Sequence, residues 1–267
     1  MAQSVRAVER ALDVLLCFTQ HEPNLTLTQI SERVGIHKST VHRLLATLEG
    51  RRLVQRDHVS GTYHLGSRLM EMAFLVLQSN DLMRLARPYM DGLAAEHRET
   101  VDLAVLEGAD VVYLQVVESP QRVKLAAAPG QRLPAFCTAT GKAFLAQLPE
   151  EQMQDILKQG LVKYTEHTKI ALPDLQEDLR LTRERGFAIS EQEYEDGINA
   201  VAAPILDVNN YPIAAIAVAG PAFRLSRERM LALGPALRAT ADTIAREISL
   251  SSRMVPQNNN SGHRPEH

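Results

Sequence analysis

Residues 27–46, LTQISERVGIHKSTVHRLLA, constrain what this chain can fold into more than any other stretch. Ile30 and Val34 lie four apart and give a first short helix one apolar face. Val41, Leu44, Leu45 and Leu48 repeat at helical spacing and give a second. Gly35 between them supplies the φ > 0 residue that a tight turn needs. Ile36-His37-Lys38-Ser39-Thr40 then leads polar and basic groups into a helix N-terminus, where free N–H groups and the positive dipole end favour anions. Two helices joined this way make a helix-turn-helix, whose second helix can present its first residues to base edges in the major groove. Paired amphipathic helices around a glycine also occur in proteins that never touch DNA, so the flanking sequence has to decide.

Upstream, Val5, Val8, Leu12, Leu15 and Leu16 share one face of a helix from about Ser4 to Gln20, with Ser4 as its N-cap. His21-Glu22-Pro23-Asn24 ends it, Leu25–Leu27 is extended, and Thr28 can cap the second helix. The third helix runs from Lys38 to Gly50 or Arg51. Downstream, Leu53–Arg56 reads as a strand, His58-Val59-Ser60-Gly61 as a turn with Gly61 at φ > 0, and Thr62–Leu65 as the return strand. Three helices followed by a hairpin are a winged helix-turn-helix over residues 4–66. The candidate DNA contacts are Thr28, Gln29, His37, Lys38, Ser39, Thr40, His42 and Arg43 on the helices. On the wing they are Arg56, His58, Ser60 and His64. Lys and Arg can reach phosphate or guanine, and the hydroxyls suit either backbone or base.

The charge distribution agrees. The net charge of −3 argues against a general nucleic-acid coat, but it is unevenly spread. Residues 1–66 carry eight Lys/Arg against six Asp/Glu, a net +2, with five histidines besides; the remainder carries 21 against 26, a net −5. A basic excess on a small terminal domain is the footprint that phosphate contact requires.

SVRAVERALDVLLCF, LTLTQISERVGIHKSTVHRLLATLE and LVQRDHVSGTYHLG together resemble the N-terminal domain of the IclR family of bacterial transcriptional regulators. KSTVHRLLATLE is close to that family's recognition helix. The mainly apolar SRLMEMAFLVLQSN, residues 67–80, is read as a linker helix with a stripe of Leu69, Met72, Ala73, Val76 and Leu77. The resemblance implies that it joins two domains and takes part in dimerisation. A dimer also follows from DNA geometry, since one winged helix reads a half-site, and a dimer of dimers is the alternative assembly.

Residues 81–253 read as a second, α+β domain. Asp81 caps an amphipathic helix interrupted by Pro88, and strands are expected at 101–106, 111–117 and 123–127, with a turn at Gly108-Ala109-Asp110. After a Pro/Gly loop, Thr138 or Thr140 can cap a helix through Leu148; helices at 150–158 and 174–185, strands at 200–208 and 213–219, and a long helix at 226–250 follow. The Asn-, Pro- and Ser-rich end from Ser251, residues 254–267 above all, reads as a disordered tail.

Residues 186–205, GFAISEQEYEDGINAVAAPI, resemble the signature of the IclR effector-binding domain, a GAF-like fold, and ATGKAFLAQLPEE resembles a second segment of it. The resemblance implies a sensor of a small molecule, often an organic acid or aromatic compound from a catabolic pathway. It places Ala139 and Thr140 at a bound carboxylate and Ser190 and Ala200 at two further pocket positions. In some acid-sensing relatives these two are an acidic residue and a cysteine, so the ligand here can be larger or less polar. Free N–H groups in the Phe136–Gly141 loop would favour a carboxylate, and Thr138 and Thr140 add hydroxyls beside Cys137. Capping alone explains the two threonines equally well.

No CxxC, HExxH or phosphate-loop pattern is present, so no metal or cofactor is expected. Cys17 and Cys137 are the only cysteines, which fits free thiols in a cytoplasmic protein, and the N-terminus lacks a signal-peptide core. A Cys137–histidine pair is a weak basis for catalysis, because buried cysteine is common as a small hydrophobe. The acidic Glu191, Glu193, Glu195 and Asp196 read as a solvated loop. The expectation is a repressor of a catabolic operon, because occupancy of an operator is enough to block polymerase. The alternative is a GAF-like binding protein or enzyme whose N-terminal module contacts protein, and salt-dependent DNA binding separates the two.

Overall fold

Local sequence chemistry sets each element of the N-terminal unit. The computed structural model describes residues 5–19, 22–79 and 81–254. Helix α1 (Arg6–Leu16) starts after Val5 and ends four residues short of Gln20; Ser4, Gln20 and His21 lie outside the described residues. Strand β1 (Leu25–Thr26) leads into α2 (Leu27–Val34). The cap of α2 is Thr26, not Thr28. Thr26 Oγ1 accepts the Gln29 N–H at 3.3 Å, and Gln29 Oε1 accepts the Thr26 N–H at 2.8 Å. This reciprocal capping box satisfies two helix-end donors and moves Thr28 inside the first turn.

Gly35, at φ 64°, ends α2 in the left-handed conformation. Ser31 Oγ donates to the Ile36 carbonyl at 2.6 Å and fixes the turn into α3 (Lys38–Gly50). Strands β2 (Val54–Arg56) and β3 (Thr62–Leu65) form the wing, and β1 joins them in a sheet ordered β1-β3-β2. Val14, Phe18, Leu25, Ile30, Val41, Leu45, Val54 and Tyr63 form its core. Helix α4 (Ser67–Ser79) follows; Met70, Met72 and Ala73 are exposed, and the side chains of 74–79, among them Val76 and Leu77, lie outside the described residues.

The chain divides at this point into two units, Met1–Asn80 and Asp81–His267. In the second, α5 (Asp81–His97) continues through Pro88. A hairpin of β4 (Thr100–Glu107) and β5 (Asp110–Val117) turns at Gly108-Ala109. After β6 (Arg132–Pro134) and a 3₁₀ turn at Ala135–Cys137 come α6 (Ala139–Leu145), α7 (Glu150–Leu157) and α8 (Leu172–Arg185). Strands β7 (Ala188–Glu191), β8 (Ile198–Leu206) and β9 (Pro212–Pro221) precede α9 (Arg227–Met254). The sheet is antiparallel, ordered β6-β5-β4-β9-β8-β7.

Two expectations are corrected here, and the choice between Thr138 and Thr140 as a cap is decided. Residues 123–127 form no strand. Edge pairing on β5 is taken by β6, and the run Ala126-Ala127-Ala128-Pro129 lacks the alternation and bulk that favour a strand. Thr140 lies within α6 and Thr138 is its cap. Residues 251–254 belong to α9 rather than to a tail; residues 255–267 lie outside the described residues.

The two faces of the sheet differ in a way that positions the site. Val101, Leu103, Ile189, Val201, Ile205, Ile216 and Val218 face α5 and α9 in one core. The alternate residues Ala104, Ala188, Ala202, Ala215 and Ala217 face the other way, into a second core with α6 and α8. A strand alternates its side chains, so large residues on one face leave small ones on the other. Over that alanine floor α6 is buried at every position. Gly141 is required there, because a Cβ would lie 2.1 Å from the Ala135 carbonyl oxygen.

Candidate DNA interface and effector cavity

In the N-terminal unit, α3 buries Val41, Leu45 and Leu48 and leaves His37, Lys38, Ser39, His42 and Arg43 exposed, with Thr40 half-buried. His37 is the N-cap. Its Nδ1 accepts the Ser39 N–H at 3.4 Å and lies 2.9 Å from Ser39 Oγ, so Nε2–H is its free donor. Among the described residues neither Lys38 nor Arg43 has an ion-pair partner, and both remain available to a phosphate or base. Gln29 is exposed but its carbonyl is engaged in the cap, which leaves its NH₂ to donate; Thr28 is half-buried.

The wing is organised by a residue that sequence reading passed over. Asp57 accepts the Val59 N–H at 2.9 Å and the Ser60 hydroxyl at 2.6 Å. The Ser60 hydroxyl holds its carboxyl below the ordinary range, with the Val59 N–H adding to it. Ser60 therefore shapes the turn, lying also 2.7 Å from Thr62 Oγ1, instead of standing free for DNA. Arg56 stacks over Tyr63, 5.6 Å from the ring centroid, and His64 Nδ1 lies 3.1 Å from the Leu65 carbonyl. His58 and Val59 are exposed at the tip. An Asp two and three residues before a Val and a Ser, next to Gly61, is the sequence signal of such an Asx-type turn.

In the second unit a cavity of about 50 Å³ opens on this side of the sheet, lined there by Asp102, Ser190, Ala200 and Ala219. The six residues picked from sequence, Cys137, Thr138, Ala139, Thr140, Ser190 and Ala200, all line it. Their roles differ. Thr138 Oγ1 accepts the Gly141 N–H at 3.2 Å and donates to the Pro134 carbonyl at 3.0 Å, so its hydroxyl is spent on the cap. Ser190 Oγ donates to the Cys137 carbonyl at 3.2 Å and keeps its lone pairs. Thr140 Oγ1 has no partner among the described residues. Burial pushes the Cys137 thiol up to about 12, with the Glu193 carboxylate adding to the effect, so it stays protonated and is no thiolate nucleophile. The non-strand segment at Leu125, Ala126 and Ala127 forms part of the wall.

Sequence reading missed two features here. Asp102, on β4, lines the cavity and is 1% exposed; burial pushes its carboxyl up to about 7. The other is a buried ion cluster. Lys142 Nζ lies 2.5 Å from Asp178 Oδ2 and 2.6 Å from Glu193 Oε1, and Lys169 Nζ lies 3.0 and 2.9 Å from the same oxygens. Glu193 is thus buried, contrary to the solvated loop expected of the acidic run. Burial alone would raise Asp178, but Lys142 and Lys169 outweigh it and hold the carboxyl low. The cluster ties α6 and α8 to the segment carrying Tyr194 and Glu195, which close the cavity. A charged residue inside an apolar run, as in VDLAVL and ATGKAFL, was the available signal for both.

Among the described residues no group of three or more His, Cys, Asp or Glu is placed to hold a metal, and no helix is long and apolar enough to cross a membrane. A winged helix-turn-helix with a polar, partly basic reading face, carried on a chain whose other unit encloses a small cavity, defines a DNA-binding regulator. The IclR helix-turn-helix domain matches residues 7–58, and the bacterial transcriptional regulator IclR C-terminal domain matches residues 74–246. The chain belongs to the IclR family of bacterial transcriptional regulators.

It is 32% identical to the transcriptional repressor IclR of Escherichia coli (strain K12) over 250 residues, covering 92% of this chain and 90% of that one. An IclR transcriptional regulator from Alicyclobacillus acidocaldarius shares the fold at a TM-score of 0.83 and 30% identity, over 91% and 99% of the two chains. For the fold alone, an IclR homolog from Microbacterium hydrocarbonoxydans, solved with 4-hydroxybenzoate, aligns at a TM-score of 0.79 and 24% identity over 90% and 99%. This chain is a DNA-binding transcriptional regulator of the same kind.

Proposed function

We propose that this protein represses transcription by occupying an operator through α3 and the wing, and that a metabolite bound in the cavity of the second unit controls that occupancy. The observation that carries the reading is the exposed Lys38, His42 and Arg43 on the first turns of α3, without side-chain partners among the described residues and preset by the His37 cap and the Gly35 turn. Lys38 and Arg43 reach phosphate or guanine, and Ser39, Thr40 and His42 contact base edges or backbone. Arg56, His58 and His64 contact the flanking backbone. A dimer or dimer of dimers, joined in part through α4, aligns two reading helices with a pseudo-palindromic site. The protein acts where its DNA is, in the bacterial cytoplasm.

The effector is a compact organic acid or aromatic metabolite of a catabolic pathway, held by Thr140, Ser190 and the backbone around Ala139. Operator release requires that it bind the released state more tightly than the DNA-bound state. The test is operator binding by purified variants. Thr40→Val should lose affinity mainly on the specific site, and Thr140→Val should lose the effector response while keeping operator affinity. Equal loss of both in Thr140→Val would indicate a folding defect and count against the assignment.

A further inference from the structure

The cavity holds an acid that the protein leaves without a partner. Asp102 sits mid-strand on β4, paired in register with Val116 on one side and Ala217 on the other. Its neighbours Val101 and Leu103 face the core under α5 and α9, so Asp102 shares the opposite face with the alanine floor. There it lines the cavity with Tyr113, Thr140, Ser190 and Ala219. It is 1% exposed, and Oδ1 has no hydrogen-bond partner among the described residues. No lysine, arginine or histidine lines the cavity; the one other charged residue there is the exposed Glu195. A buried carboxyl without a partner is costly, and buried polar groups in native proteins are nearly always satisfied. The cavity in front of it is where that partner can enter.

We propose that Asp102 selects the effector: the end of the ligand that reaches the sheet carries an N–H or O–H donor, which hydrogen-bonds the Asp102 carboxyl. The proposal rests on the cavity being the effector site, and it narrows the ligand class. Where Asp102 is ionised, above about pH 7, a simple carboxylate directed at it would bring like charges together in a low-dielectric site with no cation among the lining residues to separate them. An amide, amine or hydroxyl placed there completes the acid's hydrogen bonding. An acid effector is compatible only when its carboxylate lies at the α6 end and a donor group lies at the other.

The experiment uses propionamide and propionate, which share a shape and differ in whether the polar end donates. Affinities are measured by ligand-observed NMR on the full chain at about pH 8.5, where Asp102 is ionised, for wild type, Asp102→Leu, Asp102→Asn and the cavity-filling Ala200→Leu. Wild type is expected to prefer the amide by about 10- to 100-fold. Asp102→Leu is expected to abolish that preference, and Asp102→Asn, whose amide donates as well as accepts, to narrow it. Should Asp102→Leu not fold, the Asn variant decides. Equal or stronger binding of propionate to wild type, an unchanged preference in the variants, or no binding of either probe overturns the proposal. Ala200→Leu separates the two readings. Loss of binding there with an indifferent Asp102 refutes the selectivity alone, whereas binding that survives Ala200→Leu refutes the cavity as the site.

Discussion

Asp102 gives the protein a pH signature that can be read without any ligand. Its folded-state carboxyl titrates at about 7 because burial disfavours the charge, against an unfolded value of about 3.8. A raised folded value means stability is fully present below the unfolded value and is lost as pH rises through the folded one. The loss accumulates from about pH 4 to pH 7 and amounts to about 4 kcal/mol. Asp102→Asn is expected to flatten that part of the stability profile, measured by urea unfolding at a series of pH values. A variant with the wild-type slope would show that Asp102 is not buried as described. The two neighbouring threonines are expected to behave differently. Thr138→Val should cost about 1 kcal/mol through loss of its cap, while Thr140→Val should leave stability nearly unchanged. Thermal melts of the two compare them directly. Thr138 and Thr140 were both visible in the sequence, but which one caps depends on where the 3₁₀ turn at Ala135–Cys137 ends. Asp102 was not visible as a site residue, since its surroundings come from β5, β9 and α6, far apart in the chain.

Elements whose reasons are local were legible. The winged helix-turn-helix follows from helical periodicity, two turns and a short hairpin, and the β4–β5 turn from Gly108. Elements whose reasons are tertiary were not. Residues 123–127 begin with Val and Leu but run into alanines and pair with no strand, and β7 becomes a strand only because β8 is there to pair with it. The ion cluster belongs to this scale. Lys142→Met leaves two buried carboxylates with Lys169, and with Arg185 3.8 Å from Asp178, as the remaining cations, and should destabilise the unit by about 3 kcal/mol. It should also loosen the segment at Tyr194. Denaturant melts of the variant check the first effect, and hydrogen exchange at residues 192–197 the second; a cost under about 1 kcal/mol would mean that the cluster is hydrated. In the wing, Asp57→Ala removes the acceptor that shapes the turn. Operator affinity should fall while the melting temperature holds, because the turn is exposed and contributes little to the core.

At the scale of the whole molecule, the first unit reads DNA and, in the function proposed above, the second senses a metabolite. The division was legible because composition, charge and motif change together near residue 80. The operator and the metabolite depend on contacts with molecules that the sequence does not contain. The central claim is that the first unit holds DNA through the exposed face of α3. Fluorescence anisotropy on a duplex from the region upstream of the protein's own gene tests it most directly, run over a series of salt concentrations with wild type and Arg43→Ala. Log affinity should fall linearly with log salt for wild type, and the slope for Arg43→Ala should be shallower by about 1 if Arg43 neutralises one phosphate. Absence of binding at low salt, or affinity that ignores salt, would contradict the account.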